Sequence, residues 1–510
     1  MKNKTISRRQ FLRYLGYSGI FLTSGQLISA CQPFSTPQPT PAVQGDPDIE
    51  IRLIAQPAEQ QIFPGASTDI WQFHGEVIKG PQDSLITLPD TYLGPIFNLQ
   101  KGVHLRVHFD NELPEASIVH WHGLHVPQEA DGHPRFAVQT GETYTYDFKI
   151  MDRAGTYWYH PHPHGRTGPQ VYAGLAGLFL IHDPAETALD LPSGENEQLL
   201  VIQDRTFDEQ NQLIYSSVGM MDQIVGMLGD QIFVNGKPDY RLEVDPSVYR
   251  LRLLNGSNSR IYKLAWEDGT PIQVIGTDGG LLEKPLSRDY ITLAPAQRIE
   301  LWVDFGAWEP GNSIRMVNLP SSAPGGGQEF PIFTAEIGNT QGETRPLPES
   351  FPTLEKLDPA QAVNADNPRV FELQMGMGMA WTINNRQFEM TDVADDENVQ
   401  LGDLEIWEFV NQTGGGMGMA GVAQPHPMHI HGLQFKILDR QIDPNESEAY
   451  QTLRDGFVDE GWHDTVLVMP GERVRVLMQF SDYAGLFIYH CHNLEHEDMG
   501  MMRNYRVNSG

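Results

Sequence analysis

The 510-residue chain contains almost no cysteine, and Cys31 and Cys491 are its only two. Two cysteines cannot make the disulfide framework of a small stapled domain, so the fold depends on buried apolar side chains. Cys31 lies beside an N-terminal leader, which leaves the mature domains with one thiol. Cys491 stands between two histidines, where a thiol is more often a metal ligand or a nucleophile than core filler.

Positive charge is also scarce, since 35 Lys and Arg face 66 Asp and Glu for a net charge of -31. Such an acidic chain repels phosphate backbones and anionic membrane surfaces, so we expect no nucleic-acid partner. The balance suits a soluble protein that meets cations or neutral substrates. It is equally compatible with an acidic surface that only aids solubility.

No apolar run is long enough for a comfortable membrane span. Arg8 and Arg9 precede a short, Gly- and Ser-containing apolar stretch over residues 14–28, which resembles a Tat export signal. Residues 28–31 also resemble a lipobox with Cys31 as a lipid anchor, although an ordinary cleavage site there is the alternative. We expect residues 1–45 to be signal and tether, with export to the periplasm or outer cell-envelope surface and membrane contact only through Cys31.

Long amphipathic helices are missing, and the pattern indicates β-structure throughout. Residues 105–109, 143–148, 249–254 and 473–478 alternate or are rich in β-branched and aromatic side chains. Forty-nine Gly and 36 Pro supply turns between such segments. The sequence therefore predicts an all-β protein.

Three sequence elements recur in the same order. A short Phe/Ile segment ending in Gly or Asn comes first, a strand ending in Asn second, and a turn leading into a strand third. The copies are 73–75, 107–111 and 139–144; 233–236, 251–255 and 294–299; and 383–385, 406–411 and 469–474. A spacing of roughly 150 residues predicts three homologous β-sandwich units.

The boundaries follow from these repeats and from composition. We expect the first unit over residues 46–183, the middle unit over 184–339 and the last unit over 369–510. Residues 340–368 are rich in Pro and Glu and are predicted to be a linker.

Histidine is concentrated in four clusters, and no histidine lies between His182 and His426. Residues i and i+2 of a strand face the same side, so each His-X-His pair presents two imidazoles together. The pairs are His120 with His122, His160 with His162, His429 with His431, and His490 with His492. Eight imidazoles suffice for three copper ions with open positions for a small ligand. Because only the first and last units carry them, we expect the cluster between those units.

Cys491 points to the face opposite His490 and His492, where it can meet His426, His496 and Met501. Two His, one Cys and a weak axial Met make a blue-copper electron-transfer site. The peptide links on either side of Cys491 then connect this copper to the cluster. Reduction of dioxygen to water takes four electrons, and several coppers can store them.

These motifs resemble the multicopper oxidases, and the three-unit layout resembles bacterial copper-efflux oxidases and laccases. The resemblance covers residues 46 to 510 and implies three consecutive cupredoxin-like Greek-key β-sandwich domains with four coppers. It implies a type 1 copper on His426, Cys491, His496 and Met501, and a type 2 copper on His120 and His429. It implies a type 3 pair on His122, His160 and His492, and on His162, His431 and His490.

Oxygen reduction also consumes four protons. Asp131 and Glu497 match acidic positions that the family uses for proton supply, although surface carboxylates in an acidic protein are the alternative. Glu495 and Asp498 lack that match, and we expect them to face solvent. His164 matches no ligand position, and we expect it to support the site or pack.

The substrate is less sharply indicated. Met-Gly groups at residues 220–221, 375–379 and 417–419 could hold Cu(I), because thioethers favour it, or could form a flexible rim. Residues 422–425 depart from the acidic residue and Met that cuprous oxidases carry there. Dioxygen and a small reducing substrate, either a phenol or aromatic amine or Cu(I), are the expected partners of a monomer; Fe(II) and Mn(II) stay open.

Two other classes of copper protein fit these motifs less well. A copper nitrite reductase builds its type 2 site from fewer histidines and has fewer units. A non-enzymatic cupredoxin, acting as a copper store or a cell-envelope scaffold, would have lost ligands, whereas this chain has kept them all.

Overall fold

The computed structural model describes residues 45–509 except 216–219, 325, 341, 343, 377–379, 412–422 and 447. The predicted export signal and the lipobox at Cys31 lie outside the described residues. Among the described helices, none is both long and apolar enough to cross a membrane.

The first pair of sheets comes from residues 49–182. One sheet has the strand order β2-β1-β5-β7 and the other β3-β4-β9-β8-β6, and both contribute side chains to one apolar core. The strands are β1 Ile49–Gln60, β2 Thr68–Lys79, β3 Leu85–Ile86, β4 Ile96–Gln100, β5 His104–Asn111, β6 Val119–His122, β7 Thr143–Lys149, β8 Gly155–Pro161 and β9 Gly177–His182.

The second pair comes from residues 197–337. Its strand orders are β12-β11-β10-β14-β19-β16-β17 and β13-β21-β20-β15-β18, around a second core. The strands are β10 Glu197–Arg205, β11 Gln231–Val234, β12 Lys237–Pro238, β13 Arg241–Val244, β14 Val248–Asn255, β15 Tyr262–Trp266, β16 Ile272–Thr277, β17 Gly280–Arg288, β18 Ile291–Leu293, β19 Arg298–Asp304, β20 Ser313–Asn318 and β21 Phe330–Ile337.

The third pair comes from residues 369–508. Its strand orders are β23-β22-β25-β29-β27 and β24-β31-β30-β26-β28, around a third core. The strands are β22 Arg369–Met375, β23 Trp381–Ile383, β24 Asn398–Gln400, β25 Leu404–Asn411, β26 His426–Ile430, β27 Phe435–Ile442, β28 Thr465–Val468, β29 Glu472–Gln479, β30 Gly485–Cys491 and β31 Met502–Asn508.

Helices are short and lie between strands. The α-helices are α1 Thr167–Tyr172, α2 Pro184–Thr187, α3 Met220–Val225, α4 Glu448–Leu453 and α5 Leu494–Asp498. Short 3-10 helices occupy Gln82–Ser84, Pro134–Phe136, Gly194–Asn196, Phe305–Ala307, Pro359–Gln361, Asp395–Glu397, Pro444–Glu446 and Arg454–Gly456. The all-β prediction is confirmed, while the exact limits at 183, 339 and 368 stay predictions.

The predicted repeat has a structural basis. β5, β14 and β25 each run parallel to the first long strand of their unit and antiparallel to a later strand, β7, β19 and β29 respectively. Each ends at an Asn whose side-chain amide donates to two main-chain carbonyls beyond the strand. These residues are Asn111, Asn255 and Asn411. One buried amide thus fixes the same turn in all three units.

Candidate metal centres

Four strand ends bring eight histidines together. β6 and β8 pair so that His120 faces His160, and β26 and β30 pair so that His429 faces His490. The second His of each pair comes two residues later, at the end of the strand or just beyond it, and faces the same side. All eight side chains are buried. These eight imidazoles, four from residues 49–182 and four from residues 369–508, therefore line one pocket.

The imidazole Nε2 atoms of every His in these pairs except His122 converge on the centre of this pocket. Four Nε2–Nε2 distances fall between 3.1 and 3.4 Å, and three of them join the first unit to the last. The pairs are His120–His429 (3.2 Å), His162–His490 (3.3 Å), His431–His490 (3.1 Å) and His160–His492 (3.4 Å). Rings also stack across the units, with centroids 3.6 Å apart for His120 and His431.

The hydrogen bonds of the Nδ1 atoms show which ring nitrogen of several histidines carries the proton. Nδ1 lies 2.6 Å from the Asp131 carbonyl in His120 and 2.8 Å from the Asp464 carbonyl in His429. The Nδ1 atoms of His160 and His490 also face main-chain carbonyls. A carbonyl only accepts, so these Nδ1 atoms carry the proton and their Nε2 atoms present lone pairs to the pocket. Two such lone pairs repel where His120 meets His429, and a metal cation beside them would remove the repulsion.

His122 is turned the other way. Its Nε2 lies 2.9 Å from Asp464 Oδ1, while its buried Nδ1 has no hydrogen-bond partner in the described part of the chain. Nδ1 is then the atom of His122 that is free to bind a metal. The donor set of the pocket therefore fits copper, for which imidazole is a suitable ligand.

Burial keeps the imidazoles neutral. Burial, joined by neighbouring imidazoles, lowers the pKa of His160 to about 3 and that of His162 to about 4. The same causes hold the pKa well below its usual range in His120, His122, His429, His431 and His492. A neutral imidazole is the form that binds a metal, so the pocket is prepared for ligation at neutral pH.

Two predicted carboxylates lie against this pocket. Asp131 Oδ2 is 2.9 Å from His431 Nδ1, and Glu497 Oε2 is 3.1 Å from His490 Nδ1. Both side chains are at most 1% exposed. Burial raises the pKa of Asp131 well above its usual range, so this carboxyl holds a proton more readily than an exposed one.

Sequence reasoning missed Asp464. Its Oδ1 contacts His122, and its carbonyl accepts from His429. The middle unit's Arg298 donates to the Asp464 carboxylate and to the Thr156 carbonyl of the first unit. Asp464 follows His463 with no ligand-like spacing, so the sequence offered no signal beyond its place before β28.

A second, smaller pocket surrounds Cys491. His426 Nδ1 lies 3.4 Å and His496 Nδ1 3.7 Å from Cys491 Sγ, and the two Nδ1 atoms are 3.3 Å apart. Met501 is buried in the same core cluster, and its carbonyl accepts from the Cys491 amide. The structure brings His426, Cys491 and His496 together, and the role of Met501 as a fourth ligand stays a prediction. Burial raises the pKa of the Cys491 thiol, so a thiolate there needs a cation beside it.

The middle unit and Trp381 cover this second pocket. His496 Nε2 lies 2.9 Å from the Ile224 carbonyl at the end of α3, which leaves Nδ1 as the free donor atom. The Trp381 ring lies 4.2 Å from the His496 ring and 4.9 Å from the His426 ring. Its indole N–H donates to the Gln223 carbonyl. Burial lowers the pKa of His496 to about 3.

The prediction that Glu495 and Asp498 face solvent is wrong. Glu495 is 2% exposed, and Asp498 is half-buried and accepts from the amides of Thr167 and Gly168. Both belong to α5, which packs against α1 and α3. Their charge indicated exposure, but the neighbouring units supply donors that the sequence does not place.

Other predicted features lie at the edge of the site. His164 is exposed and packs against Phe388 with ring centroids 5.1 Å apart, in agreement with a packing role. Residues 377–379 and 417–419 of the Met-Gly groups lie outside the described residues, as do the side chains of Met220 and Met221.

Comparison with known proteins identifies the family. Models described as multicopper oxidase match residues 72–186 and 362–510. The chain is similar to a laccase of Bacillus stratosphericus (33% identical, 86% of this chain and 90% of that protein). It is also similar to the multicopper oxidase mco of Staphylococcus aureus (32% identical, 85% and 86%).

Among solved structures, the chain is similar to the McoA multicopper oxidase of the hyperthermophile Aquifex aeolicus. That structure is 36% identical with a TM-score of 0.78, and the match covers 91% of this chain and 97% of that one. The family implies copper as cofactor, which fits the donor set of both pockets. This chain belongs to the multicopper oxidase family and is an oxidoreductase.

Proposed function

We propose that this protein couples one-electron oxidation of a small reducing substrate to four-electron reduction of dioxygen to water. His426, Cys491, His496 and Met501 would hold a type 1 copper. A three-copper cluster would occupy the eight-imidazole pocket, with the type 2 copper on His120 and His429. The type 3 pair would take His122, His160 and His492, and His162, His431 and His490.

The observation that carries the proposal is the adjacency of the two pockets. Cys491 lies in the smaller pocket, while His490 and His492, one residue away on either side, lie in the larger one. The bound coppers would accept single electrons at the first site and deliver four to dioxygen at the second. The chain contributes a short covalent path, from the Cys491 sulfur through one peptide link to either imidazole.

The protein groups around the cluster orient ligands and supply protons. Main-chain carbonyls fix the rings of His120 and His429, as hydrogen-bonded partners of metal-binding imidazoles commonly do. Asp131 would hold a proton at Oδ1, because Oδ2 faces His431 Nδ1. Burial opposes ionisation of Glu497, but His490 and His162 lower its pKa to about 2, so Glu497 would accept and pass on protons as a carboxylate. Burial of both carboxyls excludes bulk water, so protons would arrive through these groups.

The substrate is either a phenol or aromatic amine, or Cu(I). The similarity to a laccase supports the first class, and the Met-Gly groups support the second because thioethers favour Cu(I). The covered type 1 pocket is compatible with both. Monomeric state, export by a Tat signal and a lipid anchor at Cys31 stay predictions.

The experiment is copper reconstitution followed by metal analysis and oxygen uptake with a phenol, Cu(I) and Fe(II) compared. The proposal expects about four coppers per chain, a strong blue absorption band and oxygen consumption. A colourless protein that binds no copper and consumes no oxygen would refute it. A rate that depends on added Cu(II) would favour Cu(I) as substrate.

A further inference from the structure

Helix α5 carries three acidic side chains that point to three different parts of the molecule. Glu497 lies against His490 and His162 of the large pocket. Asp498 accepts from the first amides of α1 in the first unit. Glu495 reaches the middle unit. The same helix carries His496, so its position sets the geometry of the small pocket.

Glu495 accepts hydrogen bonds from four groups, all in the middle unit. Its Oε1 lies 3.0 Å from the Tyr215 hydroxyl and 2.8 Å from Asn258 Nδ2. Its Oε2 lies 2.9 Å from the Met227 amide and also accepts from the Ser259 hydroxyl. An ionised carboxylate accepts at both oxygens and donates at neither, which matches this set of donors.

The contacts continue from Glu495 to the type 1 ligands. Ser259 Oγ lies 3.1 Å from Asn493 Oδ1, which in turn accepts from the His496 amide at the start of α5. Asn493 Nδ2 donates to the Val225 carbonyl, and the Asn493 amide lies 3.4 Å from Cys491 Sγ. The carbonyl of Ile224, one residue before Val225, receives His496 Nε2.

We propose that Glu495 is a positioning residue through which the middle unit, without a predicted copper ligand, fixes the type 1 site. This inference rests on the proposed function, because it assigns a role around the type 1 copper. Glu495 binds α5 to Met227, which follows α3. The last residues of α3 then hold Asn493 and His496 in place through the carbonyls of Val225 and Ile224.

A glutamine at position 495 would retain the shape but not the acceptor set. Its amide nitrogen would face either the Met227 amide and Ser259 or the Tyr215 hydroxyl and Asn258. The main-chain N–H of Met227 and the Nδ2 of Asn258 can only donate. Either orientation of the glutamine amide therefore leaves a buried donor opposed to another donor. Removing the charge therefore also loosens the contact.

The test compares copper-loaded wild type with Glu495→Gln, Tyr215→Phe and Asp498→Asn. Type 1 copper is followed by its blue absorption, its paramagnetic resonance hyperfine splitting and its loss to a chelator. We expect Glu495→Gln to weaken retention of that copper by roughly tenfold and to shift the hyperfine splitting. Tyr215→Phe removes one donor and should shift both readouts in the same direction by less.

Asp498→Asn is the matched control, because it makes the same carboxyl-to-amide change on the same helix. Among the described residues, the Asp498 side chain accepts hydrogen bonds only from the first unit. We expect it to retain the wild-type hyperfine splitting. An equal change in Asp498→Asn would overturn the proposal, since charge alone would then explain the effect. If Glu495→Gln fails to fold, unchanged readouts in Tyr215→Phe overturn it.

The outcomes separate this inference from the proposed function. A wild type that takes up copper without a blue band contradicts the proposed function itself. A blue wild type and folded variants with identical copper retention contradict only the role of Glu495. Absorption, hyperfine splitting and retention are measured without turnover, so they do not depend on the choice of substrate.

Discussion

The two candidate copper pockets are built in different ways. The large pocket lies between the first and last units, and its rings are oriented by carbonyls and carboxylates of those same units. The small pocket lies inside the last unit, but the middle unit covers it through the carbonyls of residues 223–225. The large pocket is an interface between two units, whereas the small pocket lies within one unit and is covered by another.

This difference indicates separate roles for the units. Loss of a residue in the large pocket should affect oxygen reduction and the contact between the first and last units. Loss of a residue in the small pocket should affect electron entry and leave the interface intact. The middle unit contacts the surroundings of both pockets. Its Arg298 binds Asp464 beside the large pocket, and its donors bind Glu495 beside the small pocket.

The largest expected effect comes from Cys491→Ser. We expect complete loss of the blue band and of turnover, because the thiolate ligand and the electron path are removed together. The eight imidazoles are unchanged, so about three coppers per chain should remain. Metal analysis and absorption of the reconstituted variant check this. Retained turnover would contradict the assigned path, and circular dichroism confirms that the variant is folded.

A second prediction concerns Asp131→Asn. The amide oxygen can still accept from His431 Nδ1, but the side chain no longer carries a transferable proton. We expect oxygen uptake to fall by about a hundredfold, while anaerobic bleaching of the blue band by substrate keeps its rate. Stopped-flow absorption and an oxygen electrode separate the two. Asp110→Asn, in an outer-sheet ion pair with Arg52, should match wild type in both.

Arg298→Leu tests the interface. The substitution leaves the buried carboxylates of Asp464 and Asp278 without their guanidinium, which should lower the free energy of unfolding by roughly 3–5 kcal/mol. Denaturant titration measures it. The matched control is Arg315→Leu, which breaks an exposed pair with Glu267 and should cost less than about 1 kcal/mol. Equal losses of unfolding free energy in the two variants would mean that the buried ion pair stabilises the protein no more than the exposed one.

The smallest effect is expected for Trp381→Phe. Phenylalanine retains an aromatic ring against His496 but cannot donate to the Gln223 carbonyl. We expect a loss of about 1 kcal/mol in unfolding free energy and a small shift of the blue band. Thermal unfolding and absorption check this. Complete loss of the type 1 copper in this variant would contradict the prediction, because copper binding would then require the hydrogen bond from Trp381 to Gln223.

The sequence predicted the site well where strand geometry governs it. In β6, β8, β26 and β30, alternate residues must share a face, so His-X-His pairs converge once the strands meet. The same parity places Cys491 on the opposite face from His490 and His492. The repeated Asn at the strand ends also predicted three equivalent units, because the same turn recurs in each.

Sequence reasoning failed where another unit supplies the partner. Glu495 and Asp498 read as solvated charges, since nothing near them in the sequence shows the amides and hydroxyls that bury them. Asp464 was missed for the same reason, because its importance comes from His122, 342 residues away. β14 shows the same effect, since Arg250 and Arg252 are buried where Glu186, Glu197 and Glu300 accept hydrogen bonds from them.

The sharing of the large pocket sets an order of events during synthesis. His120 and His429 are 309 residues apart, and His160 and His492 are 332 apart. A nascent chain that has emerged only as far as the first unit holds half of the imidazoles and none of their counterparts. Under the proposed function, a three-copper cluster could therefore not be assembled on a nascent chain of this length. Copper loading of the large pocket would wait until the final strands have been released and folded.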